Sequence, residues 1–296
     1  MIVVHTVADL REALLSNRTG NKRIGLVPTM GAFHAGHLHL MQTAREECDV
    51  TVVTLFVNPM QFGDPNDLAA YPRNNARDVD TASSAGVDIL FAPSVPEMYP
   101  EGFSATVDIG GVTETLEGKT RGIAHFRGVA TVVAKLFNIV QPHAAYFGQK
   151  DAQQVAVIRQ MVRDLNIPVK IEVCSIMRES DGLAMSSRNA RLSPASRMQA
   201  VALSEALHTV QTLTALGERS TETLLNAART RLHARDIADH HIEYLAAVDN
   251  VTLADVSEVA DRHILFALAV RVGDVRLIDN VVVEAPAGTH MPREAQ

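Results

Sequence analysis

The chain has 296 residues, 47% of them apolar, enough for two domains or one large one with a sizeable core. Its formal net charge is −7, with both signs spread along the chain and no Lys/Arg-rich tail, which argues against a nucleic-acid-binding surface. No run approaches the about 18 apolar residues of a membrane span, and Met1-Ile2-Val3-Val4-His5 lacks the regions of a signal peptide. A cytoplasmic protein is expected, with Cys48 and Cys174, which lack CxxC spacing, as reduced core residues.

In chain order, a short helix is expected from Thr6 to about Asn17, and a first strand at 23–27. The stretch Pro28-Thr29-Met30-Gly31-Ala32-Phe33-His34-Ala35-Gly36-His37 follows, then a helix at 38–48 and a β-branched strand at 50–57. Strand, helix and strand make a βαβ unit. A helix at 75–85, closed by Gly86, leads to a strand at 87–92. Residues 93–127 read as a long loop, a candidate lid, with one possible strand at 106–109. A buried helix at 129–140, a strand at 144–147, a helix at 152–165 and a strand at 169–173 complete the parallel pattern. Beyond Ile176 the character changes. Helices are expected at 194–216 and 221–234, then strands at 242–248, 264–272 and 275–283, the last two joined at Gly273-Asp274 as a hairpin. The expected architecture is α/β. A Rossmann-like parallel sheet with helices on both faces spans 1–176, a smaller α+β lid domain spans 177–284, and a disordered tail spans 285–296.

The stretch 28–37 lies at a strand-to-helix junction, where α/β sheets bind ligands. His34 and His37 are three apart and share a face if the turn is helical. They read as phosphate contacts, as helix caps, or, with His39, as a metal site that lacks a nearby Cys or acidic partner. Lys150 sits at a helix start, where the macrodipole favours anions, a conflict that an anionic ligand would resolve. Asp151 beside it is a natural N-cap. Met185-Ser186-Ser187-Arg188-Asn189 is either a phosphate-gripping loop or an ordinary turn. Gln61 and Gln154 each follow a strand's carboxyl end, where an amide suits a ligand with hydroxyl and carboxylate groups. Asp78 and Asp80 are either magnesium ligands or solvated helix residues.

Taken together, 28–37, 56–62, 71–73, 125–129, 146–154 and 181–189 resemble, in order and over essentially the whole chain, the pantothenate synthetase (pantoate–β-alanine ligase) family. His34-Ala35-Gly36-His37 is similar to the HxGH signature of the wider nucleotidyltransferase superfamily. The resemblance implies ATP-dependent joining of (R)-pantoate to β-alanine through a pantoyl adenylate, with release of AMP and pyrophosphate. It also implies Mg2+ with the ATP and a homodimer, with no nucleic-acid or membrane partner. By motif, it places ATP against Met30, Gly31, His34, Gly36, His37, Gly148, Gln149, Lys150, Asp151, Met177, Met185, Ser186, Ser187 and Arg188. Of these, His34, His37, Lys150, Ser186, Ser187 and Arg188 are the expected catalytic donors. Gln61 and Gln154 are expected on pantoate, Gln61 also on β-alanine, and Asp78 on the metal. Phe33 stands where the family usually has Leu, Met177 where it has Val, and Ser180 where it has Pro. Three other readings compete: a nucleotidyltransferase that keeps the nucleotide in its product, an RNA-binding relative of synthetases, and a hydrolase with a metal on His34, His37 and His39.

Overall fold

A computed structural model of the chain describes residues 1–260 and 263–284. The expected tail at 285–296 lies outside the described residues. Among these, six strands form a parallel sheet in the order β1-β4-β3-β2-β5-β6: β1 Ile2–Val4, β2 Ile24–Val27, β3 Val50–Thr54, β4 Ile89–Phe91, β5 Ala144–Gly148 and β6 Lys170–Cys174. Three more, β7 Ile242–Asp249, β8 Ile264–Val272 and β9 Val275–Val283, form an antiparallel sheet. The helices are α1 Val7–Thr19, α2 Ala35–Glu47, α3 Pro65–Ala70, α4 Asn75–Ser84, α5 Val95–Met98, α6 Glu117–Arg121, α7 Ile123–Val140, α8 Ala152–Asp164, α9 Pro194–Ala200, α10 Ala202–Ala215 and α11 Thr221–His233.

The chain divides into two compact units, Met1–Arg178 with Met185–Ser187, and Glu179–Ala184 with the residues from Arg188 onward. In the first, every residue of β2 and β3 is buried, as a parallel sheet covered on both faces requires. Leu40, Met41 and Ala44 of α2 pack with Val27, Val53, Leu90, Ala144 and Tyr146 of the sheet. In the second, the antiparallel sheet shares a core with α10 and α11, built from Leu203, Leu207, Leu224, Leu232, Phe266 and Leu268.

Several expectations need correction. The strand β1 is absent from the expected pattern; its three residues pair with β4, whose register joins Val4 to Phe91. Residues 106–109 form no strand, because Val107 N donates to Thr131 Oγ1 (2.9 Å) rather than to a neighbouring strand. The supposed loop 93–127 contains α5, α6 and the start of α7. The single helix at 194–216 is two helices that break at Val201. Helix α7 is also long and apolar enough, by composition, to cross a membrane, but two-thirds of it (67%) is buried inside the protein, as a core helix. Cys174 is buried, whereas Cys48 is half-buried, with its Sγ 3.3 Å from Tyr146 Oη.

Candidate active site

Strands β2 and β5 are neighbours, yet β3 and β4 lie on one side of them and β6 on the other. The order in which strands are added to the sheet thus reverses between the parallel neighbours β2 and β5, which opens a crevice at their carboxyl ends. Two loops face that switch point, 28–34 after β2 and the 3-10 turn Gln149–Asp151 after β5.

The first loop is tied down by backbone. Thr29 N donates to Thr54 Oγ1 (3.0 Å) and Phe56 N to Thr29 O (3.2 Å). Gly31 has φ +87° and Ala32 φ +54°, so two consecutive residues turn left-handed. A Cβ on Gly31 would collide with Leu55 and would lie 2.9 Å from Asp78 Oδ2, so only glycine fits. Asp78, 2% exposed, accepts from Ala32 N (2.9 Å) and Phe33 N (2.8 Å). The expectation of Asp78 on the metal therefore meets a carboxylate already engaged with backbone. Its two oxygens are turned into the protein, each on a backbone N–H, and it is not a solvated helix residue. Phe33 is buried against α2, with its ring 5.6 Å from that of His37.

His34 caps α2. Its Nδ1 accepts from Gly36 N (3.1 Å), while His37 Nδ1 accepts from His34 N (3.3 Å), a capping box made of two imidazoles. A Cβ at Gly36 would lie 3.0 Å from His34 Nδ1, so the glycine between the histidines admits the folded-back ring. A nitrogen that accepts a hydrogen bond carries no proton. Both rings are therefore neutral Nε2–H tautomers, 4.2 Å apart. Burial, then the neighbouring His34 and Lys150, push the pKa of His37 down to about 3. The cap and phosphate readings of these residues are thus compatible: Nδ1 builds the helix start and leaves Nε2–H as each ring's donor.

The metal reading finds no partner set. His39 Nε2 is 3.5 Å from Ser175 Oγ, and among the described residues no three His, Cys, Asp or Glu side chains are arranged to hold an ion. Among the described residues, no cluster of carboxylates marks a protein-held magnesium site.

Lys150 in the second loop is mostly buried and lies 3.9 Å from Asp151. Asp151 occupies the N-cap position of α8 but makes no side-chain cap bond, contrary to expectation. Gln154 is half-buried in the first turn of α8. Gln153 beside it turns inward, donating to Val112 O and Thr115 O and accepting from Glu117 N, each at 2.8 Å. Gln61 ends the 3-10 turn Pro59–Gln61, where Asn58 Nδ2 donates to its Oε1 (3.0 Å) and its Nε2 donates to Met30 Sδ (3.2 Å). His125 Nδ1 meets Gln61 O at 2.7 Å, and its pKa is lowered by burial first and by Arg121 second.

Met177 and Met185 are joined by a bond from Met185 N to Met177 O (2.9 Å), and Ser186 and Ser187 follow as half-buried residues of the same unit. Arg188 belongs to the second unit, as does Ser180 in its exposed turn. The first unit thus brings together His34, His37, Lys150, Met30 and Gln61. Reasoning from sequence assigned no individual role to Asn58, Asp78 as a backbone acceptor, Tyr99 or Gln153. Asn58 and Gln153 stood inside quoted motifs; Asp78 and Tyr99 carried no local signal, since their partners are 41 to 46 residues away.

A family model described as pantoate-beta-alanine ligase matches residues 2–282. The pantothenate synthetase of Acetivibrio thermocellus is 50% identical over 284 residues, covering 96% of this chain and 100% of the relative. That of Heliobacterium modesticaldum is 53% identical over 284 residues, with the same coverage of 96% and 100%. Among solved structures, the pantothenate synthetase from Thermus thermophilus superposes with a TM-score of 0.88 at 46% identity, covering 95% of this chain and 99% of that one. The pantoate-beta-alanine ligase from Francisella tularensis, complexed with beta-gamma ATP and beta-alanine, superposes with a TM-score of 0.74 at 34% identity, covering 95% and 97%.

Proposed function

The chain belongs to the pantoate–β-alanine ligase family, and from that premise we propose that it condenses (R)-pantoate with β-alanine at the cost of ATP, through pantoyl adenylate. The observation that carries this reading is the pair of Nε2–H donors at the N-terminus of α2, beside Lys150 at the switch point.

In the first step a pantoate carboxylate oxygen bonds to the α-phosphorus and the bond to the β-phosphate oxygen breaks, so pyrophosphate leaves. Negative charge grows on the α-phosphate oxygens and on the leaving group. Neutral histidines held at fixed positions stabilise it without taking or giving a proton. Each such donor contributes about 3–4 kcal/mol, by analogy with oxyanion-hole deletions. Lys150 adds a full charge, and the helix N-terminus adds its dipole. Ser186, Ser187 and Arg188 are assigned as further phosphate donors on their motif alone. Gln61 and Gln154 hold pantoate by their amides. In the second step the β-alanine amine bonds to the acyl carbon, the acyl–oxygen bond to AMP breaks, and the amine loses a proton. Water would hydrolyse the adenylate, so the segment 93–127 is assigned a shielding role.

We assign the Rossmann-like nucleotide- and pantoate-binding domain to residues 1–176, and the protein to the cytoplasm as a homodimer. Magnesium would accompany ATP and would neutralise part of the triphosphate charge. The test is pantoate-dependent exchange of labelled pyrophosphate into ATP without β-alanine. Exchange is the expected result; a protein that turns over ATP with neither pantoate nor β-alanine dependence would overturn the assignment.

A further inference from the structure

Asn58 is 1% exposed, and both ends of its amide are engaged. Oδ1 accepts from Met60 N (3.3 Å) and from Tyr99 Oη (2.7 Å). Nδ2 donates to Gly128 O (3.1 Å) and to Gln61 Oε1 (3.0 Å). A backbone N–H only donates and a backbone carbonyl only accepts. Met60 and Gly128 therefore decide which end of this amide is oxygen. The rest follows by polarity: Tyr99 must donate, and Gln61 must receive at Oε1. Gln61 Nε2 is then turned towards Met30 Sδ, a weak acceptor that a ligand oxygen displaces readily.

Tyr99 is built to stay a donor. Its ring packs against Phe103 (5.0 Å) and Phe56 (6.0 Å), and Lys135 Nζ lies 4.6 Å from the Phe103 ring centre. Burial raises the phenol pKa far above its ordinary value, so the O–H persists at any working pH. Gly128 closes the arrangement. A Cβ there would overlap the Met60 carbonyl and lie 2.7 Å from Gln61 N, so glycine lets α7 touch the turn that carries Gln61.

We propose that Tyr99 is a positioning residue that holds the Asn58 amide, whose polarity Met60 N and Gly128 O fix, against Gln61, so that Gln61 keeps Nε2 as a donor and this subsite selects an acid that presents oxygen acceptors. The proposal rests on the pantoate reading above. Tyr99→Phe removes the first donor of the chain while keeping the ring. The expected result is a KM for pantoate raised about three- to tenfold, the worth of one neutral hydrogen bond. The KM for ATP and kcat stay within about twofold of wild type. Gln61→Glu keeps Oε1 for Asn58 but removes the donor, and adding Tyr99→Phe to it should raise the KM no further, because the relay then has nothing to orient. An unchanged KM in Tyr99→Phe, or an equal fold-loss in both backgrounds, overturns the relay. If the wild-type protein shows no pantoate-dependent exchange, the reading of the site falls and the relay with it. If it shows exchange and Tyr99→Phe matches it at every pantoate concentration, the relay alone falls.

Discussion

The carboxylate of Asp78 holds the backbone of Phe33 at 2.8 Å, with its second oxygen on Ala32 at 2.9 Å. A buried side chain of α4 thereby fixes the left-handed turn that delivers His34 to the start of α2. The turn would otherwise present one buried and one half-buried N–H group without this acceptor.

Replacing that carboxylate tests whether it clamps the loop or holds a metal. Asp78→Asn turns an NH2 towards one of the two backbone N–H groups, so urea unfolding should show a loss of about 2–3 kcal/mol. Adenylate formation should slow as the histidines lose their register. The magnesium concentration needed for half-maximal rate should stay at the wild-type value; a strong shift to higher magnesium would restore Asp78 as a ligand.

His37→Ala should slow adenylate formation about 10²–10³-fold, while ATP affinity falls far less. The donor matters most where charge develops in the transition state. Equal losses in pyrophosphate release and in nucleotide binding would contradict this.

The depressed pKa of His37 sets a pH dependence. The folded value is about 3 against an ordinary 6.5, so the neutral ring is favoured by folding. Its contribution is fully present above pH 6.5 and is lost as pH falls through the folded value. At pH 5 the loss from this group is about 2 kcal/mol. His37→Asn keeps an acceptor for His34 N and removes the titration. Denaturant melts from pH 7 to pH 5 should therefore show a steeper loss in wild type than in the variant.

Gln153→Leu keeps the volume and removes three hydrogen bonds that hold 112–117. Two carbonyls and one N–H lose their partner, and stability should fall by about 2–4 kcal/mol. With the segment loosened, water should reach the adenylate. The variant should release AMP with pantoate alone faster than wild type does; equal rates would show that this segment does not shield the intermediate.

Much of the candidate site was legible because its signals are local. A strand, two glycines and two histidines within fourteen residues announce a ligand-binding junction, and β-branched runs such as Val50–Thr54 announce buried strands. The phosphate and cap readings of His34 and His37 could not be separated from spacing, because Nδ1 makes the cap and leaves Nε2 of the same ring as a donor. Phe33 is accommodated as a core ring beside His37.

The sequence by itself determined the parallel α/β pattern, the motif order and the residue types gathered at the strand-to-helix junctions, since period and spacing are properties of neighbours along the chain. Only the tertiary structure decided that Asp78 accepts from the backbone of the 28–34 loop, that Tyr99 meets Asn58, and that Ile2–Val4 is a strand. Those outcomes depend on hydrogen-bond partners brought together from distant segments. A carboxylate, an amide or a three-residue apolar run has several possible partners, and packing alone selects among them.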